Sequence, residues 1–170
     1  DKPEDAFANK DARLYGSIIY PGAPFRGMAV PLQAGRKSLE NSVWVSEVAK
    51  GGTTDAQGNV ITSINGPTTT NDQFINKSGF FFRKFMDETP MSSTRGRNSD
   101  MWFPRFRFAE AVMIAAEASF ELEKQADAVT YINLVRERAG IQPLTVVTFG
   151  DIVQENRVEF AFEDHRYQNL

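Results

Sequence analysis

ENRVEFAFEDHRYQNL, residues 155–170, closes the chain, and its reading decides the fold. Advanced at a helical step, Phe149, Ile152, Val153, Phe160, Tyr167 and Leu170 fall on one stripe, and Asn156 and Glu163 fall on it too. A carboxylate on a core-facing stripe is costly unless it is paired or hydrogen-bonded. The segment therefore calls for basic partners, with Arg157, Arg166 and arginines elsewhere as candidates. Neither a capping glycine nor a polar tail follows Leu170, so the pattern reads as a helix cut short and the expectation is of a longer protein.

Two further helices precede it. Phe106 to Glu123 is apolar almost all round, with Phe108, Ala109, Val112, Ala115, Ala116 and Ser119 on one side and Arg107, Glu110, Glu117 and Glu121 on a narrow polar stripe. Such a helix is expected to be covered by neighbours on most of its surface. From about Asp127 to Ala139, the apolar positions Ala128, Ile132, Val135 and Ala139 mark a second stripe; Gly140 supplies a left-handed cap, and Pro143 prevents continuation. The short link between the two predicts an antiparallel hairpin, the unit from which tetratricopeptide-type repeats are stacked. The third helix starts near Thr148 or Gly150, and Thr148 with Asp151 forms a variant of the capping box.

Upstream of about Asp100 the pattern changes to loops. LYGSIIYPG (Leu14 to Gly22) reads as a short strand ended by a Pro-Gly turn, and GFFFRKF (Gly79 to Phe85) reads as another. Gly51 to Ser78 is rich in Gly, Thr and Asn, with DAQGN (Asp55 to Asn59) as a turn joining two extended arms. The division expected is a loop-rich subdomain over 1–105 and a helical scaffold over 106–170, both parts of one larger domain. The fold class is mainly α, with tetratricopeptide-like helix hairpins beside a loop-rich part containing short strands.

Composition narrows the chemistry. The chain has 170 residues, 41% hydrophobic and 24% charged, with a formal charge of -3. Its Lys and Arg residues are dispersed, which argues against nucleic acid as a partner. No window reads as a membrane span. With no Cys and a single histidine, His165, there is neither a disulfide nor a thiolate or imidazole cluster for zinc. Gly51-Gly52 lacks the spacing of a phosphate loop, DAQGN lacks the alternating acids of a calcium loop, and no serine sits in a nucleophile elbow. No cofactor is expected.

DARLYGSIIYPG (Asp11 to Gly22), SGFFFRKFMD (Ser78 to Asp87), RFAEAVMIAAEA (Arg107 to Ala118), INLVRERAG (Ile132 to Gly140) and ENRVEFAFEDHR (Glu155 to Arg166) follow one another in this order. Together they resemble the carboxyl-terminal half of the SusD/RagB-like family. This sequence departs from the family's pattern at Asp164, where the family places Gly just before the His-Arg pair. The resemblance implies a mostly helical cell-surface lipoprotein of the outer membrane. Such a protein sits over a TonB-dependent transporter and captures oligosaccharides, or in some cases peptides, without catalysis. The lipidated cysteine that anchors such proteins is absent from this sequence.

Among candidate site residues, Glu159 and Glu163 stand one turn apart, and paired carboxylates can serve glycoside hydrolysis. Set beside Arg107, Glu117, Arg136 and Arg138, they read instead as struts between helices. Arg107 to Glu110 suits an intrahelical pair, and Glu117 is placed to accept from Arg136 or Arg138. His165, between Asp164 and Arg166, reads as a surface or partly packed residue. Ligand contact falls to the aromatic residues, since the CH faces of sugars stack on Trp and Tyr. Trp44, in SLENSVWVSE, reads equally as a ligand platform or a core anchor; Trp102, in NSDMWFPRF, reads more as a core anchor. Both are the ligand-binding candidates. The expected function is non-catalytic capture of oligosaccharides or peptides, the alternatives being a helical-repeat protein-interaction module and a glycan-cleaving enzyme.

Overall fold

The computed structural model describes residues 3–67, 77–90 and 98–164. It divides into two compact units, one of Asp1–Asn9 with Ile18–Asp100, the other of Lys10–Ser17 with Met101–Leu170.

The first unit is assembled from short antiparallel pairs. In chain order its strands are β1 (Ile18–Ile19), β2 (Pro24–Phe25), β3 (Met28–Ala29), β4 (Arg36–Glu40), β5 (Val43–Glu47), β6 (Thr53–Thr54), β7 (Val60–Thr62) and β8 (Phe81–Phe82). β1 pairs with β8, β2 with β3, β4 with β5 and β6 with β7. Turn chemistry explains the closures. After β1 the amide of Ala23 donates to the carbonyl of Tyr20 at 2.9 Å, with Pro21 setting the entry and Gly22 at φ 83, the left-handed angle that favours glycine. Asn41 and Ser42, at φ 48 and 64, give the β4–β5 connection the double left-handed form that matches strand twist. DAQGN is the turn between β6 and β7, as its sequence suggests. Ile19, Ala23, Leu32 and Ile61 are buried here together with Thr62 and Ser63. The hydroxyl of Ser63 accepts from the amide of Gln33 at 2.8 Å, and that of Thr62 donates to the carbonyl of Ala34 at 3.1 Å, so neither buried polar group is left unpaired.

The second unit holds the α-helices: α1 (Ala12–Ser17), α2 (Phe108–Glu121), α3 (Gln125–Arg138) and α4 (Phe149–Glu159). α2 and α3 pack on each other, and the link from Leu122 to Lys124 leaves room only for an antiparallel return. Val112, Met113 and Ala116 from α2, Ala128, Ile132 and Val135 from α3, and Ile152 from α4 form one apolar cluster with Val147 and Phe160. The caps follow the sequence. Thr148 Oγ1 accepts from the Asp151 amide and Asp151 answers to the Thr148 amide, while Gly140 at φ 70 and Ile141 close α3 by donating to the carbonyls of Glu137 and Arg136.

Several expectations need correction. Leu14 to Ser17 is helical, because Asp11 caps the turn by accepting from the Arg13 amide; only Ile18–Ile19 of that stretch is strand. α2 is covered on one side: Phe108, Ile114 and Leu122 are exposed. α4 stops at Glu159, since Phe162 and Asp164 take φ 67 and 63, which no helix tolerates. Phe149, placed on the buried stripe by periodicity, is half exposed. The positions assigned to His165, Arg166, Tyr167 and Leu170 lie outside the described residues. The chain is thus one of helices in one unit and small strand pairs in the other, a narrower statement than mainly α.

Candidate functional site

The acids of α4 are buried and fully engaged. Glu155 and Glu159 are each 3% exposed. Arg13, presented by α1, donates through Nη1 to Glu155 at 2.5 Å and to Glu159 at 3.2 Å, and its remaining face grips Asp11. Arg136 reaches the other oxygen of Glu155 at 2.9 Å. Arg107 bonds Glu159 at 2.6 Å and clasps Glu163 through Nε and Nη2 at 2.7 and 2.9 Å, with its guanidinium 4.7 Å above the Phe160 ring. Arg138 completes the set on Glu159 at 2.5 Å. Burial works against the charged form of Glu159, but hydrogen bonds from Arg107 and Arg13 and the fields of Arg107 and Arg138 outweigh it and hold its carboxyl below the ordinary range. Arg13 is shifted upward: burial opposes its charge, and Asp11 and Glu155 more than compensate.

The struts read from sequence are therefore present, with different partners. Arg107 meets Glu110 through its backbone amide, at 3.0 Å, as part of the α2 cap, and spends its guanidinium on α4. Glu117 is exposed, while Arg136 and Arg138 turn to Glu155 and Glu159. Arg157 is exposed. Arg13 was not among the partners foreseen. Glycoside hydrolysis needs one carboxyl kept neutral as proton donor. Glu159, held ionised among three arginines, offers none.

In the first unit, Asp55 organises its own turn. Oδ1 accepts from the amides of Gln57 and Asn59 at 3.0 and 2.8 Å, and Oδ2 accepts from Asn59 Nδ2 at 3.1 Å and from Arg36 at 2.5 Å. Arg36 and Asn59 keep this carboxyl well below the usual carboxylate range. Arg36 also bonds Glu47, its cross-strand partner, at 2.8 Å, which ties the root of the β4–β5 hairpin to the turn. No group of three or more His, Asp or Glu side chains is placed to hold a metal among the described residues.

Beyond that root the hairpin is exposed along its whole length. Trp44 lies on β5, opposite Leu39, and is 67% exposed; it belongs to a strand and not to a loop. Lys37 and Ser46 face each other on the same side of the ladder, two positions along. Sequence reading missed these two. The signal was the Asn41-Ser42 pair between runs containing Leu39 and Val43. Trp102 stands in the non-helical segment before α2 and is 88% exposed within this chain, beside an exposed Phe103. The two tryptophans belong to different units.

Comparison with known proteins agrees with the motifs. A curated relative, SusD-like protein P2 of Formosa agariphila, is 30% identical over 100 residues, covering 51% of this chain and 20% of that protein. Among solved structures, a SusD-like protein of Bacteroides fragilis superposes with a TM-score of 0.65 at 20% identity, over 99% of this chain and 29% of that one. A SusD-like carbohydrate binding protein of the same organism gives 0.66 at 23% identity, over 98% and 29%. The chain thus spans less than a third of the length of these relatives. The sequence matches the SusD family over residues 1–170, and the chain belongs to that family.

Proposed function

We propose that this chain is part of a surface nutrient-binding protein that captures oligosaccharides, or peptides, unchanged and passes them to a TonB-dependent outer-membrane transporter. The observation that carries the reading is the exposure of both tryptophans, at 67% and 88%. Tryptophan is mostly buried on average, and an exposed indole is a platform on which a sugar ring stacks. A related protein from Bacteroides fragilis is described as carbohydrate binding, which supports the same ligand class. Residues 1–105 then supply ligand-facing loops and strands, and 106–170 supply tetratricopeptide-like scaffold within a larger domain. The protein sits at the cell surface, held to the outer membrane by a lipid outside this sequence.

Titration calorimetry against a panel of neutral and acidic oligosaccharides and short peptides, with reducing ends assayed afterwards, tests the reading. Saturable heat without new reducing ends is the expected result. New reducing ends would instead identify an enzyme. A second reading, a protein-interaction module, draws on the exposed side of the α2–α3 hairpin, where Phe108, Ile114 and Leu134 are 80%, 61% and 50% exposed. It predicts no heat with any glycan or peptide of the panel.

A further inference from the structure

The β4–β5 hairpin separates its charges by face. Register places Arg36 against Glu47, Ser38 against Val45 and Glu40 against Val43 on one side, and Lys37 against Ser46 and Leu39 against Trp44 on the other. The first side is internally satisfied. Arg36 bonds Glu47 and Asp55, and the Ser38 hydroxyl donates to Glu40 at 3.0 Å, which confirms that Glu40 points away from the indole. On the second side Lys37 makes no ion pair among the described residues, and Lys37, Trp44 and Ser46 are all exposed. Lys37 is the diagonal neighbour of Trp44, about 7–8 Å away between backbones, within reach of a long side chain.

The hydrogen-bonding inventory of this face is one-sided. Indole Nε1–H and the lysine ammonium donate only, and the serine hydroxyl donates or accepts. Between strand residues 36–40 and 43–47, both carboxylates belong to the opposite face. A neutral sugar presents hydroxyls that both donate and accept, of which the indole and the ammonium match only the accepting side. An anionic sugar presents a group that only accepts, beside a ring that stacks.

We infer that the Trp44 face binds a sugar ring bearing an anionic group, carboxylate or sulfate, with the ring stacked on Trp44 and the anion held by Lys37 and Ser46. This deepens the oligosaccharide-binding reading and rests on it. At the root, a Cβ on Gly35 would collide with the carbonyl oxygen of Glu47, and Arg36 ties the hairpin to the Asp55 turn.

The test is calorimetric titration of the whole chain with three length-matched probes: a neutral oligosaccharide, an oligouronate and a sulfated oligosaccharide. Each is run at low and high salt on the wild type, Lys37→Gln, Ser46→Ala and Trp44→Ala. One of the two anionic probes is expected to bind several-fold more tightly than the neutral one, and which of them does so identifies the anion. That preference should shrink about fivefold in Lys37→Gln and with added salt, while Trp44→Ala weakens all probes. Equal binding of neutral and anionic probes that depends on Trp44 overturns the anionic inference and leaves the sugar-binding reading intact. An anionic preference unchanged in Lys37→Gln overturns this site. Failure of every probe overturns the reading beneath it.

Discussion

Glu159 has two carboxylate oxygens and three guanidinium groups reaching for them, and its backbone carbonyl accepts from Arg107 at 2.9 Å as well. Removing that charge deprives Arg13 and Arg107, both mostly shielded from solvent, of a partner, while Arg138 is exposed. Glu159→Gln should therefore lower unfolding free energy by about 3–5 kcal/mol in denaturant titration, as expected for one partner taken from a buried ion pair. The same residue gives a pH dependence. Its folded carboxyl titrates below the ordinary 4.5, so the folded state binds fewer protons than the unfolded state. The stabilisation is complete above about pH 4.5 and is lost as pH falls through the depressed folded value. Melting temperature followed from pH 7 to pH 3 should drop over the acid limb, and the drop should be shallower in Glu159→Gln. That α4 needs basic partners is legible in its sequence, because a carboxylate on an apolar stripe has few alternatives. Arg13 was not legible, since it approaches from 142 positions away and no local pattern records such a contact.

At the scale of elements, caps and turns carry most of the local information. Thr148→Ala removes the acceptor for the Asp151 amide and should cost about 1 kcal/mol, read from the shift of the denaturation midpoint. Asp164 offers the opposite case. This aspartate holds φ 63, an angle at which a Cβ is strained. Asp164→Gly should stabilise by up to about 1 kcal/mol; a destabilised variant would mean that the carboxylate contributes more than the strain takes away. The same torsions explain why α4 is shorter than its hydrophobic period suggests. Periodicity records which residues are apolar, and it does not record where the backbone reverses. The β4–β5 hairpin escaped notice for a related reason: its flanks carry polar and apolar residues on both exposed faces, so no alternation marks a buried side. The buried stripe of α3 was legible because Ala128, Ile132, Val135 and Ala139 recur at helical spacing and all four are buried.

For the molecule as a whole, the two units differ in chemistry: one holds an arginine–glutamate lattice beside an apolar cluster, the other a set of pinned turns. Charges that serve packing are buried and paired. Both tryptophans are among the groups exposed on this chain. Trp102 departs from the average burial of tryptophan, being 88% exposed within this chain. The family was legible from the order of the motifs along the chain, which each turn out to mark a helix, a cap or a strand pair. The most direct measurement is binding of the oligosaccharide panel to the wild type and to the double variant Trp44→Ala/Trp102→Ala, with thermal melting recorded on both. The account predicts saturable binding in the wild type, weakened at least about tenfold in the double variant, with melting unchanged because exposed substitutions alter stability by no more than about 0.5 kcal/mol. Undiminished binding in the double variant, or binding of no glycan or peptide by the wild type, would contradict it.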